Sequence, residues 1–98
     1  MNVFDWDDGN RYKNLLKHNV SRAEIEEVFL DGDAVLLRDV KHSSLMENRY
    51  IVLGRTLFDR HLFIIFTIRN NAVRVISARD MAKKERSIYE KTIKNSKI

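Results

Sequence analysis

Three strand-like runs follow one another in the middle of the chain, with only short connections between them. They are RYIVLGRTL (49–57), HLFIIFTI (61–68) and AVRVISAR (72–79), and all are rich in β-branched or aromatic residues. In the second connection, Asn70 and Asn71 tolerate the left-handed backbone that tight turns require. Parallel neighbours would need a crossover of about a dozen residues, so the pattern predicts an antiparallel meander.

The middle run is apolar on both of its faces, since only Thr67 is polar between Leu62 and Ile68. A strand with one face in water would alternate between apolar and polar residues. We therefore expect this strand at the centre of a sheet that is covered on both sides, or nearly so. AVLLRDV (34–40) predicts a further strand, and VFDW (3–6) a short one.

Helices are predicted before and after these strands. SRAE (21–24) is a capping-box pattern, in which Ser21 and Glu24 each accept a backbone N–H from the other. An earlier helix is predicted in DDGNRYKNLLKHN (7–19), and a final one runs from about residue 80 to 92. The apolar side of the final helix would consist of Ala82, Ile88, Tyr89 and Ile93.

These elements predict an α+β fold, with two N-terminal helices and a C-terminal helix packed on a mainly antiparallel sheet. The 98 residues are enough for one hydrophobic core but not for two, so we expect a single domain over residues 1–98. The chain has no cysteine, and its three histidines are scattered, so we expect no disulfide, metal or other cofactor.

The location of the protein is also predicted from what the sequence contains. The N-terminal segment is acidic where a signal peptide would be basic and then apolar. Apolar runs stay well below the roughly 18 residues that a membrane span needs. We expect a cytoplasmic protein without membrane contact.

Positive charge is concentrated in the last third of the chain. Residues 69–98 contain nine lysines and arginines against three acids, a net charge of +6; the whole chain carries +4, so the part before residue 69 carries −2. Such a cluster is typical of surfaces that bind the phosphate backbone of nucleic acids. A solvated helix face would explain the charge equally well.

The strand AVRVISAR carries two arginines. Strict alternation predicts that Arg79 shares a face with the two valines of this strand and that Arg74 points to the opposite face. Arg79 then either reaches past the apolar residues or forms an ion pair, or it lies in a cleft where its planar guanidinium holds a phosphate. Glu85, on the final helix, is placed to pair with a strand arginine, which would be a structural role.

Other residues carry the groups that proton transfer requires. Glu47 and Arg49, in ENRY (47–50), share a face and form either an ordinary salt bridge or a general base beside a cation. His18 lies at the predicted end of a helix, where the helix dipole stabilises a protonated imidazole with or without chemistry. Tyr89 is either a core residue or a ring that stacks on a base.

These residue types suit one hydrolytic reaction. Metal-independent RNA cleavage uses the 2′-hydroxyl of the substrate as the nucleophile, so the protein needs only a base, an acid and cations that stabilise the phosphorane. The composition permits this reaction and does not demonstrate it.

Five motifs occur in a specific order: FDWD (4–7), NLLKHNVS (14–21), EEVF (26–29), ENRY (47–50) and ISARDMAKKERSIY (76–89). Over nearly the whole chain this order resembles the BrnT toxins of bacterial type II toxin–antitoxin systems. The chain departs from the family at Asn19, which stands where a glycine usually follows Lys-His; asparagine also tolerates the left-handed region. The resemblance implies a RelE-like fold and ribonuclease activity that blocks translation. It also implies a BrnA-like antitoxin with a ribbon-helix-helix DNA-binding domain, in a heterotetramer with the toxin.

The resemblance carries over no fixed catalytic triad, because toxins of this superfamily differ in which residues do the acid and base work, so the site residues are predicted individually. Arg79 is expected to bind the phosphate and the transition state. Four further cations are expected to contact RNA: Arg69, Arg74, Lys83 and Arg86. Four residues are expected to include the proton-transfer groups: Lys17, His18, Glu47 and Tyr89.

The resulting hypothesis is a ribonuclease toxin whose last strand and final helix form a cationic pocket around the scissile phosphodiester, with the antitoxin lying over it. Two alternatives stay open. One is a non-catalytic nucleic-acid-binding regulator that uses the same cations, and the other is an interaction module whose charge only keeps it soluble. The salt dependence of binding and the presence of turnover separate them.

Overall fold

The structure is a computed structural model that describes residues 3–7, 9, 18–41, 43 and 47–96. Within this part of the chain, four strands form one antiparallel sheet in the order β1-β2-β3-β4, and two helices pack on it. The elements are α1 (Arg22–Val28), β1 (Val35–Arg38), β2 (Arg49–Arg55), β3 (His61–Arg69), β4 (Ala72–Asp80) and α2 (Lys83–Ser96).

The predicted α+β class and the antiparallel meander are confirmed. Asn70 and Asn71 have φ angles of 53° and 63°, which is the left-handed conformation expected of them in the β3–β4 turn. The described residues hold two helices rather than the predicted three, because the first predicted helix (7–19) falls mainly outside them. The final helix begins at Lys83 and not near Asp80, because Asp80 still pairs with β3.

The N-terminal segment forms one bridge rather than the predicted strand. Phe4 bridges Val73 in parallel, with the Asp5 N–H donating to the Val73 carbonyl at 2.8 Å and the Val73 N–H donating to the Val3 carbonyl at 2.7 Å. These two hydrogen bonds place Asp5 beside β4, where its side chain reaches an arginine described below.

One face of the sheet, which we call the α1 face, carries the larger core. Ile25 and Val28 of α1 are fully buried there against strand residues that include Ile64, and complete burial of one such side chain contributes about 1.5–3 kcal/mol. The predicted capping box is confirmed, since Ser21 and Glu24 each accept the other's backbone N–H. Residues of β2, β3 and β4 complete this core: Val52, Leu62, Ile64, Phe66, Val75 and Ala78.

The opposite face, which we call the α2 face, is covered by a helix over only part of its length. Tyr89 of α2 is buried against Leu53 and Val35, with Phe63 packed beside them. Val35, Leu53 and Phe63 lie in the half of the sheet nearer the β2–β3 hairpin. β3 is interior to the sheet as predicted, but on this face its Phe63 and Ile65 are only half-buried. The contacts of α2 in this cluster are with residues nearer the hairpin, and the candidate site extends from there along the α2 face to Arg49 and Arg69.

Candidate active site

A β-bulge in β4 decides where its arginines point. Ser77 pairs with Ile65, but the next pair is Val75 with Phe66, so Ile76 is an extra residue in β4. An extra residue reverses the alternation of side chains on either side of it. The two halves of β4 therefore follow opposite alternation patterns.

The prediction that Arg74 and Arg79 point to opposite faces is wrong. Arg79 pairs with Phe63 and Arg74 with Thr67, and these two β3 residues are four apart and so share the α2 face. The valines of β4 line the core on the α1 face instead, together with Ala78. The bulge, which no local pattern indicated, brings the two arginines to one surface.

Two further arginines join them on the α2 face. Arg49 pairs with Thr67 from β2, so Arg49 and Arg74 flank Thr67 on either side. Arg69 follows Thr67 by two residues on the same face, a distance of about 7 Å along the strand. We call Arg49, Arg69, Arg74 and Arg79 the arginine face.

Arg79 is held by α2 and by β3. Its Nη1 and Nη2 donate to the two Glu85 carboxylate oxygens at 2.7 and 2.8 Å, which is the bidentate pair that the sequence analysis considered. The guanidinium also lies 4.0 Å from the centre of the Phe63 ring. The hydrogen bonds from Arg79 lower the pKa of Glu85 despite partial burial. The side chain of Arg79 remains 36% exposed, so a ligand can reach it.

We predict that stability falls in acid partly through Glu85. Its folded pKa lies below the ordinary value of 4.5, so its contribution is present above about pH 4.5 and is lost as the pH falls through the lowered pKa. Urea unfolding between about pH 3 and pH 7 should show a smaller acid loss in Glu85→Gln than in the parent chain. Equal losses in the two proteins would contradict the prediction.

The other arginines of the face are also bordered by carboxylates. Arg74 Nη2 donates to Asp7 at 2.7 Å and Nη1 to Asp5 at 3.4 Å, and its side chain is 23% exposed. Arg49 Nε lies 3.5 Å from Glu47, is buried, and makes no hydrogen bond in the described structure. Three of the four arginines of the face thus have a carboxylate beside them.

A groove opens at the end of the arginine face farthest from the β2–β3 hairpin. Its volume is about 470 Å³, and it brings the carboxylate of Glu47 together with Arg69. Glu47 therefore neighbours Arg49 and shares the groove with Arg69. The groove is lined by Glu47, Asn48, Tyr50, Thr67, Ile68 and Arg69.

His18 lies away from this surface. Its backbone carbonyl accepts Arg60 Nη2 at 3.3 Å, and Arg60 binds Asp80, which belongs to the α1 face. Arg79 is adjacent to Asp80 in sequence but points to the α2 face. The structure therefore does not bring His18 and Arg79 to one face.

Tyr89 is buried, and its hydroxyl both donates and accepts a hydrogen bond. Its hydroxyl donates to Asp31 at 2.7 Å and accepts Arg55 Nε at 3.1 Å, with 1% of the residue exposed. Burial, together with the hydrogen bond to the Asp31 carboxylate, raises the pKa of Tyr89 to about 12. The hydroxyl connects α2 to β2 and to the segment after α1, and it lies outside the groove described above.

The predicted cations of the final helix lie on its exposed surface. Lys83 and Arg86 are exposed, and Arg86 donates to Glu90 one turn further along at 3.0 Å. The residue that α2 contributes to the arginine face is the acid Glu85. Lys17, another predicted site residue, lies outside the described residues.

Sequence analysis missed two arginines. Arg49 was treated only as the partner of Glu47, although ENRY places it at the start of a strand whose register decides its neighbours. Arg60 was given no role, yet it donates to Asp80, Glu24 and the Asn19 carbonyl at 2.7–3.0 Å and has a raised pKa, chiefly through Asp80. Those partners are distant in sequence, so no local signal could have identified this structural residue.

In the part of the chain that is described, no helix is long and apolar enough to cross a membrane. The same residues contain no group of three or more histidine, aspartate or glutamate side chains that could hold a metal ion.

Comparison with known proteins identifies the family. The family model for the ribonuclease toxin BrnT of type II toxin–antitoxin systems matches residues 6–85. The chain belongs to the BrnT family. Its partner class is therefore an antitoxin protein and its substrate class is RNA. The match ends at Glu85, so it includes all four arginines of the face in this BrnT-family chain. A search of curated proteins found no match.

Proposed function

We propose that the arginine face is the surface on which this chain binds and cleaves RNA, and that the reaction needs no metal ion. One observation carries the proposal: Arg49, Arg69, Arg74 and Arg79 lie on one face of the sheet, where the bulge at Ile76 brings Arg74 to the same side as Arg79. Guanidinium groups bind phosphate oxygens in a bidentate manner and stabilise the charge that develops on a phosphorane. We further propose that residues 1–98 act as one domain in the cytoplasm.

The reaction requires four events, to which the proposal assigns residues. The 2′-hydroxyl of the RNA attacks the adjacent phosphorus, a base takes the hydroxyl proton, and the bond to the 5′-oxygen breaks as an acid protonates that oxygen. Arg79 would bind the phosphorane oxygens, since its guanidinium is oriented by Glu85 and Phe63. Glu47, in the groove beside Arg69, would be the base only for a phosphate held at that end of the face. Its neighbour Arg49 pairs with Thr67, four residues or about 13 Å along β3 from the residue that pairs with Arg79.

Three of the predicted site residues were candidates for the acid that protonates the 5′-oxygen. His18 and Lys17 remain predictions from the sequence, with His18 away from the arginine face and Lys17 outside the described residues. Tyr89 is better suited to a structural role, because its hydroxyl is already bound between Asp31 and Arg55. The base that takes the 2′-hydroxyl proton lies on the side of the attacking oxygen, so a second group is required to protonate the 5′-oxygen.

The carboxylates around the arginines keep these side chains oriented in the free protein. Arg74 and Arg79 are both paired with acids, but 23% and 36% of their side chains are exposed, so RNA phosphates can exchange with those acids or share the guanidinium. The antitoxin would block the same exchange by covering the face with an acidic or apolar segment. We propose a BrnA-like antitoxin with a ribbon-helix-helix domain, in a heterotetramer, and inhibition of translation by the free toxin.

The test of this function is cleavage without metal. We predict that purified protein cleaves RNA in the presence of EDTA and leaves 2′,3′-cyclic phosphate or 3′-phosphate ends, because the nucleophile is the 2′-hydroxyl. RNA with 2′-O-methyl groups is the matched control and should stay intact. Product ends would be identified by mass spectrometry and phosphatase sensitivity.

Two results would contradict the proposal. Cleavage that stops in EDTA and returns with Mg²⁺ would remove metal independence while leaving the ribonuclease. Salt-dependent binding with no cleavage, either of purified RNA or in ribosome-containing reactions, would favour the alternative of a non-catalytic nucleic-acid-binding regulator.

A further inference from the structure

An apolar patch lies at the end of the molecule that carries the β2–β3 hairpin. Leu57 and Phe58, at the tip of this hairpin, are 78% and 93% exposed, and Leu30, just after α1, is 80% exposed. We call these three residues the hairpin patch. Hairpin tips are normally occupied by Gly, Asn, Asp, Pro or Ser, whose side chains and backbone suit a turn in water. Large apolar residues at such a tip contribute little to the fold of a single chain.

The backbone beneath the hairpin patch is held in place. The Leu57 N–H donates to Glu27 Oε1 at 2.9 Å, and the Arg55 N–H donates to Asp31 Oδ2 at 2.9 Å, so the hairpin is bound to α1 and to the segment just after it. The Asp59 N–H also bonds the Thr56 carbonyl at 3.0 Å. The exposed side chains are therefore presented from a fixed support, which lowers the entropy lost when a partner binds.

Two grooves meet at Leu30. The first, of about 370 Å³, lies between α1 and the hairpin and is lined by Leu30 and Leu57. The second, of about 450 Å³, lies on the other side of Leu30 and is largely apolar, with Trp6 and Phe29 in its lining. Side chains of a partner could enter both grooves around this one leucine.

The first groove is acidic. Its lining contains three carboxylates, those of Glu27, Asp31 and Asp59, and one cation, Arg55. Burial acts to raise the pKa of Asp31, but backbone hydrogen bonds from Arg55 and Asp33 outweigh it and hold the pKa below its ordinary value, so the carboxylate stays charged. The sign of this charge is opposite to that of the arginine face, which excludes RNA as the natural occupant of this surface.

We propose that the hairpin patch anchors the antitoxin, through an amphipathic segment that inserts apolar side chains around Leu30, Leu57 and Phe58 and carries lysine or arginine at its border. Exposed apolar patches of this kind mark protein–protein contact sites, and the acidic groove fits a basic border. The inference rests on the antitoxin partner of the family and not on the chemistry at the arginine face. The patch lies at the opposite end of the sheet from Arg49 and Arg69.

The decisive variant is the double substitution Leu57→Ser and Phe58→Ser. We expect the Kd for the purified cognate antitoxin, measured by titration calorimetry, to rise by about 30-fold or more, because aromatic and aliphatic anchors of this kind dominate interface affinity. RNA cleavage by the free variant should equal that of the parent chain. Val40→Ser is the matched control, since Val40 is 72% exposed elsewhere on the surface, and it should leave the Kd unchanged.

A second variant tests the charge of the groove. Asp59 has a φ of 66°, which asparagine also adopts, so Asp59→Asn removes one charge without straining the backbone. We expect this variant to bind the antitoxin about threefold more weakly at low salt and to show a smaller salt dependence than the parent chain. Thermal unfolding midpoints of both variants should match the parent.

An unchanged Kd in the double variant would overturn the proposal, as would an equal loss in Val40→Ser. The proposal would also fail if the parent chain alone proved to be a dimer that the double variant converts to a monomer without affecting antitoxin binding. A failure of the ribonuclease proposal would appear instead as absent cleavage in both proteins, with the difference in antitoxin affinity intact.

Discussion

Arg79→Ala is expected to lower kcat/KM for RNA cleavage by about 10²–10³-fold, the usual effect of removing one donor that stabilises a transition-state oxyanion. Arg79 is the arginine that the structure orients most fully, with two hydrogen bonds to Glu85 and a contact with the Phe63 ring. Its replacement removes the group proposed to meet the phosphorane charge. Single-turnover cleavage of a short RNA under saturating enzyme would measure the chemical step, and titration with an uncleavable 2′-O-methyl RNA would measure binding.

Controls separate the chemical role of Arg79 from a structural one. Arg79→Ala leaves the Glu85 carboxylate without its bidentate partner. The double variant Arg79→Ala with Glu85→Ala removes that carboxylate too, and we expect it to be as inactive as Arg79→Ala alone. Arg86→Ala is a matched loss of one exposed arginine that is also paired with a glutamate, and it should keep most of the activity. Arg79→Lys retains the charge but not the planar fork and should recover only part of the rate.

Near-parental cleavage by Arg79→Ala would contradict the proposed role. A pure RNA binder would behave differently again, since the variant would lose affinity and its salt slope would fall by about one, with no turnover to abolish.

Tyr89→Ala is expected to lower the free energy of unfolding by about 3–5 kcal/mol, which is typical of removing a large buried aromatic side chain. Tyr89 is 1% exposed and is the residue through which α2 packs on Leu53 and Val35. In a chain of 98 residues this is a large part of the total stability. Urea unfolding followed by circular dichroism would measure it, and an exposed alanine substitution at Lys84 in the same helix is the control.

Tyr89→Phe separates the two roles considered for this residue. Without the Tyr89 hydroxyl, the Asp31 carboxylate loses one of its hydrogen-bond donors. We expect the free energy of unfolding to fall by about 1–3 kcal/mol. Cleavage at a temperature where the variant is folded should stay at the parental rate. A loss of cleavage with parental stability would instead make Tyr89 a proton-transfer group and would contradict the structural role.

The amino-acid sequence by itself was sufficient for the secondary structure of the sheet and of α1. Strand and cap signals are local, because turn residues such as Asn70 and a capping box such as that of Ser21 and Glu24 satisfy backbone groups within three or four residues. The sequence also carried the family, since the order of motifs along one chain needs no coordinates, and the family match covers residues 6–85.

The pairing of Arg79 with an acid on the next helix could also be anticipated, because Glu85 lies only six residues away. The same reasoning failed for the faces of β4. The alternation of side chains between the two faces predicts orientation only while the strand has no bulge. The extra residue at Ile76 reverses this alternation, and no glycine or proline marks its position in the sequence. Whether a bulge forms depends on how the whole of β4 pairs with β3.

Only the tertiary structure decided which residues share a surface. It placed Arg49 across the sheet from Arg74 and enclosed the Tyr89 hydroxyl between Asp31 and Arg55. These neighbours are brought together by strand register and helix packing over tens of residues. Such long-range contacts arise from burial of the whole core, so a local sequence pattern predicts the elements that carry the site but not the face on which its charges meet.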